Sequence, residues 1–231
     1  SSIILFHIKN SSITNNRSIA GGNGSGGLGG GLYNNSSGSP SQHSLLNIEN
    51  TSFIKNKASN HGGGAYIRNN DDSREYLTNV LFAENNGGDS NDKVSGFYYY
   101  TSTHETRDLR IINGTFVKNV GSSVIFIQGS GTQEIKNTIV WHNSVIFNST
   151  ISGGEALVSY SNIEAGYNGT GNLNADPQFV DLDNGDYSLQ PTSPSIDTGD
   201  PDLDGDGETW ETDTDDQDPD GTRMDMGSAW F

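Results

Sequence analysis

The sequence has no cysteine. That excludes a disulfide framework, a thiol nucleophile and any zinc or iron site built on sulfur. No apolar run approaches the roughly 18 residues a membrane helix needs, so membrane insertion is not expected. Basic residues are scarce: 12 Lys and Arg stand against 29 Asp and Glu in 231 residues, a formal charge of -17. Without clustered Lys and Arg to neutralise phosphates, nucleic acid and anionic membrane surfaces are not expected partners. Helix-favouring composition is missing too. Gly at 30 positions and Asn at 26 work against helices, because Gly costs about 1 kcal/mol per helical position and Asn competes for backbone bonds.

The acidity that is present is unevenly placed. Residues 1–175 hold 12 acids and 11 bases, whereas residues 176–231 hold 17 acids and only Arg223. The chain therefore divides into a nearly neutral region, 1–170, and an acidic C-terminal region, 171–231.

The first region repeats. Its kernel is an Asn followed six residues later by another Asn, with an apolar residue three after the first and one two before it. The copies are Ile8, Asn10, Ile13, Asn16; Ile48, Asn50, Phe53, Asn56; and Leu77, Asn79, Phe82, Asn85. They continue as Ile111, Asn113, Phe116, Asn119; Ile135, Asn137, Val140, Asn143; and, more weakly, Tyr160, Asn162, Ala165, Asn168. Successive copies start 40, 29, 34, 24 and 25 residues apart. A fixed kernel at variable spacing predicts one solenoid turn per copy, with insertions looping out. No helical apolar period separates the kernels, and β-branched and aromatic residues dominate, so each turn is expected to consist of three short strands.

Asn suits the corners of such a coil. It tolerates the left-handed backbone, and its amide can donate to and accept from the Asn one coil away. We expect two structural Asn ladders, Asn10, Asn50, Asn79, Asn113, Asn137 and Asn16, Asn56, Asn85, Asn119, Asn143. A second apolar stretch follows most kernels. Period-2 alternation from Arg68 places Ala65, Ile67, Leu32, Phe97, Tyr99, Val124 and Phe126 inside. The same register makes Tyr33, Tyr66 and Tyr98 an outward stripe, with Tyr100 beside it and Ile125 ending it. Those rings are candidates for stacking on sugars, or for stabilising the sheet by cross-strand contact.

With these repeats the chain resembles the right-handed parallel β-helix proteins of the pectin lyase-like superfamily. The C-terminal stretches Asp176-Pro-Gln-Phe-Val, Asn184-Gly-Asp-Tyr-Ser-Leu and Pro191-Thr-Ser-Pro-Ser-Ile-Asp-Thr-Gly-Asp-Pro are similar to the closing segment of choice-of-anchor Q proteins of secreting bacteria, as is Asp220-Gly-Thr-Arg-Met-Asp-Met-Gly. The resemblance implies an all-β fold, a right-handed parallel β-helix of about six three-strand coils. It also implies export, to a secreted or cell-surface location. The first coil at Ile3-Ile4-Leu5-Phe6 is expected to be covered by further coils or by self-association.

The acidic region has a metal-binding spacing. Asp202, Asp204, Asp206, Glu208 and Asp213 fall at positions 1, 3, 5, 7 and 12 of a loop with Gly207 at position 6. This is the pattern in which oxygen ligands converge on Ca2+ and Gly permits the sharp turn. Position 12 is Asp in place of the longer Glu, and no helical pattern flanks the loop. A second cluster, Asp213, Asp215, Asp216, Asp218 and Asp220, is a candidate for a neighbouring ion. We expect a calcium-ordered cap over the last coil, with Phe179, Val180, Tyr187, Leu189 and Ile196 beneath it.

For function, two classes follow. One is adhesion, glycan binding or structural scaffolding, with a glycan or surface protein as partner. The alternative is a polysaccharide lyase or glycoside hydrolase. Hydrolysis needs two facing carboxylates, and the column Asn15, Lys55, Glu84, Lys118, His142 contains no acid pair. Other acids, including Asp71, Asp72, Glu75, Asp89, Asp92, Glu105 and Asp108, are placed in loops. Arg68, Arg107 and Arg110 qualify as lyase bases by residue type alone, so no catalytic residue is assigned.

Overall fold

The computed structural model describes residues 3–20, 26–36, 43–69, 74–88, 93–101, 108–128, 133–144, 151–152 and 156–228. Asp71, Asp72, Asp89, Asp92, Glu105 and Arg107 lie outside them. In chain order the strands are β1 (Ile3–Thr14), β2 (Arg17–Ser18), β3 (Leu32–Ser36), β4 (His43–Ile54), β5 (Lys57–Ala58) and β6 (Ala65–Asn69). Next come β7 (Arg74–Ala83), β8 (Val94–Thr101), β9 (Asp108–Val117), β10 (Ser123–Gln128), β11 (Gln133–Lys136) and β12 (Ile139–Trp141). The last are β13 (Ile151–Ser152), β14 (Leu157–Ser159), β15 (Asn162–Ile163), β16 (Phe179–Asp181) and β17 (Asp186–Leu189).

The fold is all-β and built on parallel sheets, an arrangement compatible with a β-helix. One sheet runs β1-β4-β7-β9-β11-β14, with β12 pairing β9 and β15; the other runs β13-β10-β8-β6-β3. A third, narrow ladder joins β2 to β5 and continues as single bridges Lys57–Asn86, Asn86–Val120 and Val120–Ser144. The chain visits the first sheet, the narrow ladder and the second sheet in rotation. Only β16 and β17, in the C-terminal region, pair antiparallel among the named strands.

The kernel Asn explains the bend in each long strand. Asn10, Asn50, Asn79, Asn113 and Asn137 have φ of 50, 45, 52, 53 and 51°. A single left-handed residue turns the strand and resets which side chains face inward, so apolar residues three positions on point to the core. Five residues later the chain turns again, at Asn15, Lys55, Glu84, Lys118 and His142, with φ of 52–57°. The first Asn ladder runs from Asn10 through Asn50 to Asn79 and stops there, Asn113 Nδ2 turning to Met224 Sδ and Asn137 Oδ1 to the Asp200 amide. The second Asn column, after the next corner, stays within hydrogen-bond reach along the stack. Asn56 Oδ1 takes the amide and the Nδ2 of Asn16 at 3.0 and 3.1 Å, and Asn85 Oδ1 takes those of Asn56 at the same distances. The pattern continues from Asn85 to Asn119 and from Asn119 to Asn143.

The sixth copy is two residues out of the expected register. Tyr160 (φ 46°) and Ala165 (φ 70°) occupy the corners, and Asn162 pairs with Ile139 instead of joining the ladder. Its Nδ2 serves the C-terminal region, donating to Ala175 O at 2.7 Å and Ser195 Oγ at 2.9 Å. The weak Asn168 match falls outside the column.

Inside, equivalent side chains stack. Phe53, Phe82 and Phe116 lie face to face with centroids 4.6 and 4.9 Å apart, beside a column of Ile48, Leu77, Ile111 and Ile135. Burying each such side chain contributes about 1.5–3 kcal/mol. Gly64 is required by this packing: a Cβ there would sit 2.5 Å from Phe82 Cδ1 and 2.7 Å from Gly96 O. The second sheet supplies Ala65, Phe97 and Ile125, then Ile67, Tyr99 and Ile127.

Two expected side-chain directions change. A bulge between Ser123 and Ile125 sets Ile125 opposite Phe97 and Phe126 opposite Tyr98, so Ile125 is inside and Phe126 is in the outer stripe. Glu75 belongs to β7 and Asp108 to β9, not to loops, and Glu75 is buried at 1% exposure. It accepts from Tyr99 Oη at 2.7 Å and from Asn69 Nδ2.

Candidate metal centre

The acidic region lies along the side of the stack. Leu81, Ala83, Val117 and Ile139 point outward from the first sheet and pack with Phe179, Tyr187 and Met226. Tyr187 Oη donates to Glu84 Oε1 at 2.8 Å, and Lys118 Nζ donates to Leu182 O at 3.0 Å. Contacts thus run far from the last coil, and the segment acts as a strap along the flank. Outward apolar residues such as Val117 and Leu81 need this cover, which a cap over the end would not supply. Of the five residues expected beneath it, Phe179 and Tyr187 are buried and Leu189 and Ile196 are partly buried, while Val180 is 48% exposed.

The strap is pinned where the fifth kernel turns. Asn137 Oδ1 accepts the Asp200 amide at 2.7 Å, and Asn137 O accepts that of Gly227 at 2.7 Å. Lys136 Nζ pairs with Asp200 at 2.9 Å and reaches Leu203 O at 3.5 Å. Arg223 donates to Gly199 O at 2.6 Å and lies over the Tyr160 ring. These contacts deliver residues 200–216 to the surface as a compact loop.

Within that loop the carboxylates first organise their own backbone. Asp202 accepts from the amides of Gly205 and Gly207 at 2.9 and 3.2 Å, Asp204 from Asp206 at 3.1 Å, and Asp206 from Glu208 at 2.7 Å. Gly207 has φ 93°, the left-handed conformation expected of position 6. Asp213 caps the short 3-10 turn Thr214–Asp216 by accepting from the Asp215 amide at 3.0 Å.

Three groups of carboxylates converge, each with oxygens within 4.8 Å of one another: Asp202, Asp204 and Asp216; Asp204, Asp206 and Asp213; and Asp197, Asp218 and Asp225. The loop residues expected to share one ion fall into two of these groups, Asp202 and Asp204 with Asp216, and Asp204 and Asp206 with Asp213. Glu208, Asp215 and Asp220 join none of the three groups. Asp197 and Asp225 were not singled out by sequence; each stands isolated among non-acidic neighbours and meets its partners only through the strap's turns.

Crowding shows in the electrostatics. Burial pushes the Asp216 carboxyl up, against the Leu203 amide, and the charges of Asp213, Asp202 and Asp204 add to it. Asp218 rises to about 6 through burial, its hydrogen bond with Asp220 and the charge of Asp225. Burial likewise raises Asp225, reinforced by Asp197 and Asp220. Asp216 is fully buried; its Oδ1 takes the Leu203 amide at 2.5 Å and its Oδ2 has no hydrogen-bond partner. An orphaned buried carboxylate oxygen beside two further carboxylates fits a hard, oxygen-seeking cation such as Ca2+.

The tyrosine face forms one stack. Tyr33, Tyr66, Tyr98 and Phe126 follow at centroid spacings of 5.6, 4.6 and 4.8 Å, and His61 lies 4.9 Å from Tyr98. Tyr66 is only 8% exposed, both ring faces being covered by its neighbours. Tyr33, at the end of the stack, is 48% exposed. Tyr100 sits beneath the Arg68 guanidinium, 5.5 Å from its ring centroid. A buried ring face cannot also take a sugar, so Tyr66 is closed to stacking of that kind.

Comparison with protein-family models, with curated proteins and with solved structures returned no match. No helix among the described residues is long and apolar enough to cross a membrane.

Proposed function

We propose that the chain is a right-handed parallel β-helix of about six coils that serves as a secreted or cell-surface scaffold, with its acidic strap ordered by calcium. The similarity to pectin lyase-like and choice-of-anchor Q proteins in the repeats and closing segment supports this reading. Asp202, Asp204, Asp206, Asp213 and Asp216 would hold the metal, which supplies positive charge that the strap lacks.

One observation supports the scaffold reading over hydrolysis. Every described carboxylate on the two parallel sheets is already engaged. Glu49 pairs with Lys9 at 2.8 Å, Asp108 with Arg74 at 3.6 Å and Glu134 with Arg110 at 3.0 Å. Glu75 is sealed inside with Tyr99. Glycoside hydrolysis requires two facing carboxylates with access to the sugar, and these are paired along the stack. A glycan or another surface protein is the partner class proposed for this wall.

The test is incubation with a panel of neutral and acidic polysaccharides in calcium, following new reducing and unsaturated ends. The scaffold predicts intact polymers. Calcium-dependent turnover that scales with protein concentration would overturn it in favour of a lyase or hydrolase.

A further inference from the structure

We infer that the strap holds two cations side by side, sharing Asp204, and that the ion bound by Asp202, Asp204 and buried Asp216 is the one that fastens the strap to the stack. This rests on the calcium reading above and deepens it.

The sequence pattern describes a single loop closed by Asp213. The structure divides those ligands differently. Asp204 belongs to both carboxylate groups, with Asp202 and Asp216 on one side and Asp206 and Asp213 on the other. A carboxylate has two oxygens and can bridge two hard cations. Asp213 and Asp216 bracket the same 3-10 turn, so one turn presents a ligand to each site.

The two sites differ in burial. Asp216 is 0% exposed, and its Oδ2 has no hydrogen-bond partner. A buried carboxylate is costly to keep ionised unless its lone pairs are met, and a dication facing Asp202 and Asp204 meets them. In the other group Asp204 and Asp206 are exposed, so water competes there. Charge supports two ions: the five carboxylates of the joined groups keep a net charge of about -3 with one dication and about -1 with two.

Only the first site is wired to the stack. Asp216 holds the Leu203 amide at 2.5 Å, and Leu203 O is within 3.5 Å of Lys136 Nζ. Lys136 pairs with Asp200, whose carboxylate also takes the Asp202 amide at 3.3 Å. Asp200 in turn donates its own amide to Asn137. A cation that fixes Asp202 and Asp216 therefore fixes both ends of this chain of contacts. The second site closes only the exposed turn.

Trp210 lies in the loop between Asp206 and Asp213, its amide bonded to Pro201 O at 3.0 Å and its carbonyl accepting from Gln217 at 2.6 Å. It provides a sensitiser for bound Tb3+. The test combines calcium stoichiometry by native mass spectrometry on the full chain with Trp210-sensitised Tb3+ luminescence and thermal unfolding. Two ions on the unmodified chain are expected. Asp216→Asn should lose one ion and most of the calcium-induced rise in midpoint, and Asp206→Asn should lose the other while keeping that rise. The remaining site in each variant should weaken by no more than on the order of tenfold. A stoichiometry of one, or two ions persisting in Asp216→Asn, overturns the inference while leaving calcium binding intact. Absence of calcium and Tb3+ binding overturns the calcium reading with it.

Discussion

Asn85 and Asn119 are joined twice: the backbone amide of Asn85 and its Nδ2 both donate to Asn119 Oδ1, at 2.9 and 3.0 Å. Asn119 returns nothing to Asn85. Its own Nδ2 instead reaches Phe82 O at 2.8 Å and Asn143 Oδ1 at 3.0 Å. The ladder is thus directional, each amide accepting from one neighbour and donating to the other, and both residues are fully buried. Asn119→Ala should strip the partner from the Asn85 amide and one from Phe82 O, while Asn85 Nδ2 keeps Phe53 O. At about 1–3 kcal/mol for each buried orphan, the loss should reach at least ~2 kcal/mol. Asn119→Asp should be nearly as damaging, because a carboxylate keeps the acceptor but cannot donate onward. Denaturant unfolding of the two variants measures this; a loss near zero would mean the ladder is ornamental.

At the second corner the chain accepts strain. Lys55 has φ 56° without the local hydrogen bonding that lets Asn adopt this conformation. Its ion pair with Glu84 is 3.7 Å long and half-exposed, so it contributes little. Lys55→Asn should therefore stabilise the chain by up to about 1 kcal/mol, as Asn15 shows the column can take it. A destabilised Lys55→Asn would show that the corner is held by side-chain contacts instead.

The aromatic stack should be visible in alkali. Burial, and then the neighbouring Tyr66, push the Tyr98 phenol up to about 12. A phenol that ionises later in the folded chain than in the unfolded one stabilises fully below about pH 10. That stability is lost as pH rises through the folded value. The midpoint of unfolding should fall between pH 10 and 12, and Tyr98→Phe should flatten part of that fall. An identical pH profile in Tyr98→Phe would contradict the assignment.

Lys136 is the hinge pin between stack and strap. It pairs with Asp200, whose side chain is 9% exposed, while its own is 22% exposed. Removing one partner of a partly desolvated pair leaves the other charge uncompensated, at a cost of about 2 kcal/mol, less than for a fully buried pair. Lys136→Gln should make residues 200–216 cleavable by protease while amide protection in β4, β7 and β9 stays unchanged. Loss of protection in those strands would show that the strap and the stack unfold as one.

Much of this was legible in the sequence, because a repeat stacked in parallel sheets imposes a local demand at every turn. Asn10 through Asn137 mark corners since Asn is the side chain that accepts them most readily, and Phe53, Phe82 and Phe116 follow three residues on. The sixth copy misled because Tyr160 and Ala165 take the corners without Asn, while Asn162 happens to stand near. Phe126 and Ile125 exchanged faces because a bulge at Ser123 is invisible to strict alternation. The strap's position was hidden for a different reason: Leu81, Val117 and Ile139 are apolar on an outward face, and only the parallel register shows that they lie side by side. In the acidic loop, spacing singled out Asp202, Asp204 and Asp206, whose carboxylates converge with those of Asp213 and Asp216 in two groups. Burial of Asp216 depends on how the 3-10 turn folds back against Leu203, which no spacing rule encodes.

The most direct measurement is thermal unfolding of the full chain in millimolar calcium and in excess chelator at neutral pH. Binding only to the folded form at a hundredfold excess over the dissociation constant adds about 2.7 kcal/mol, so calcium should raise the midpoint by roughly 5–10 °C. Superimposable curves in calcium and chelator would contradict a calcium-ordered strap.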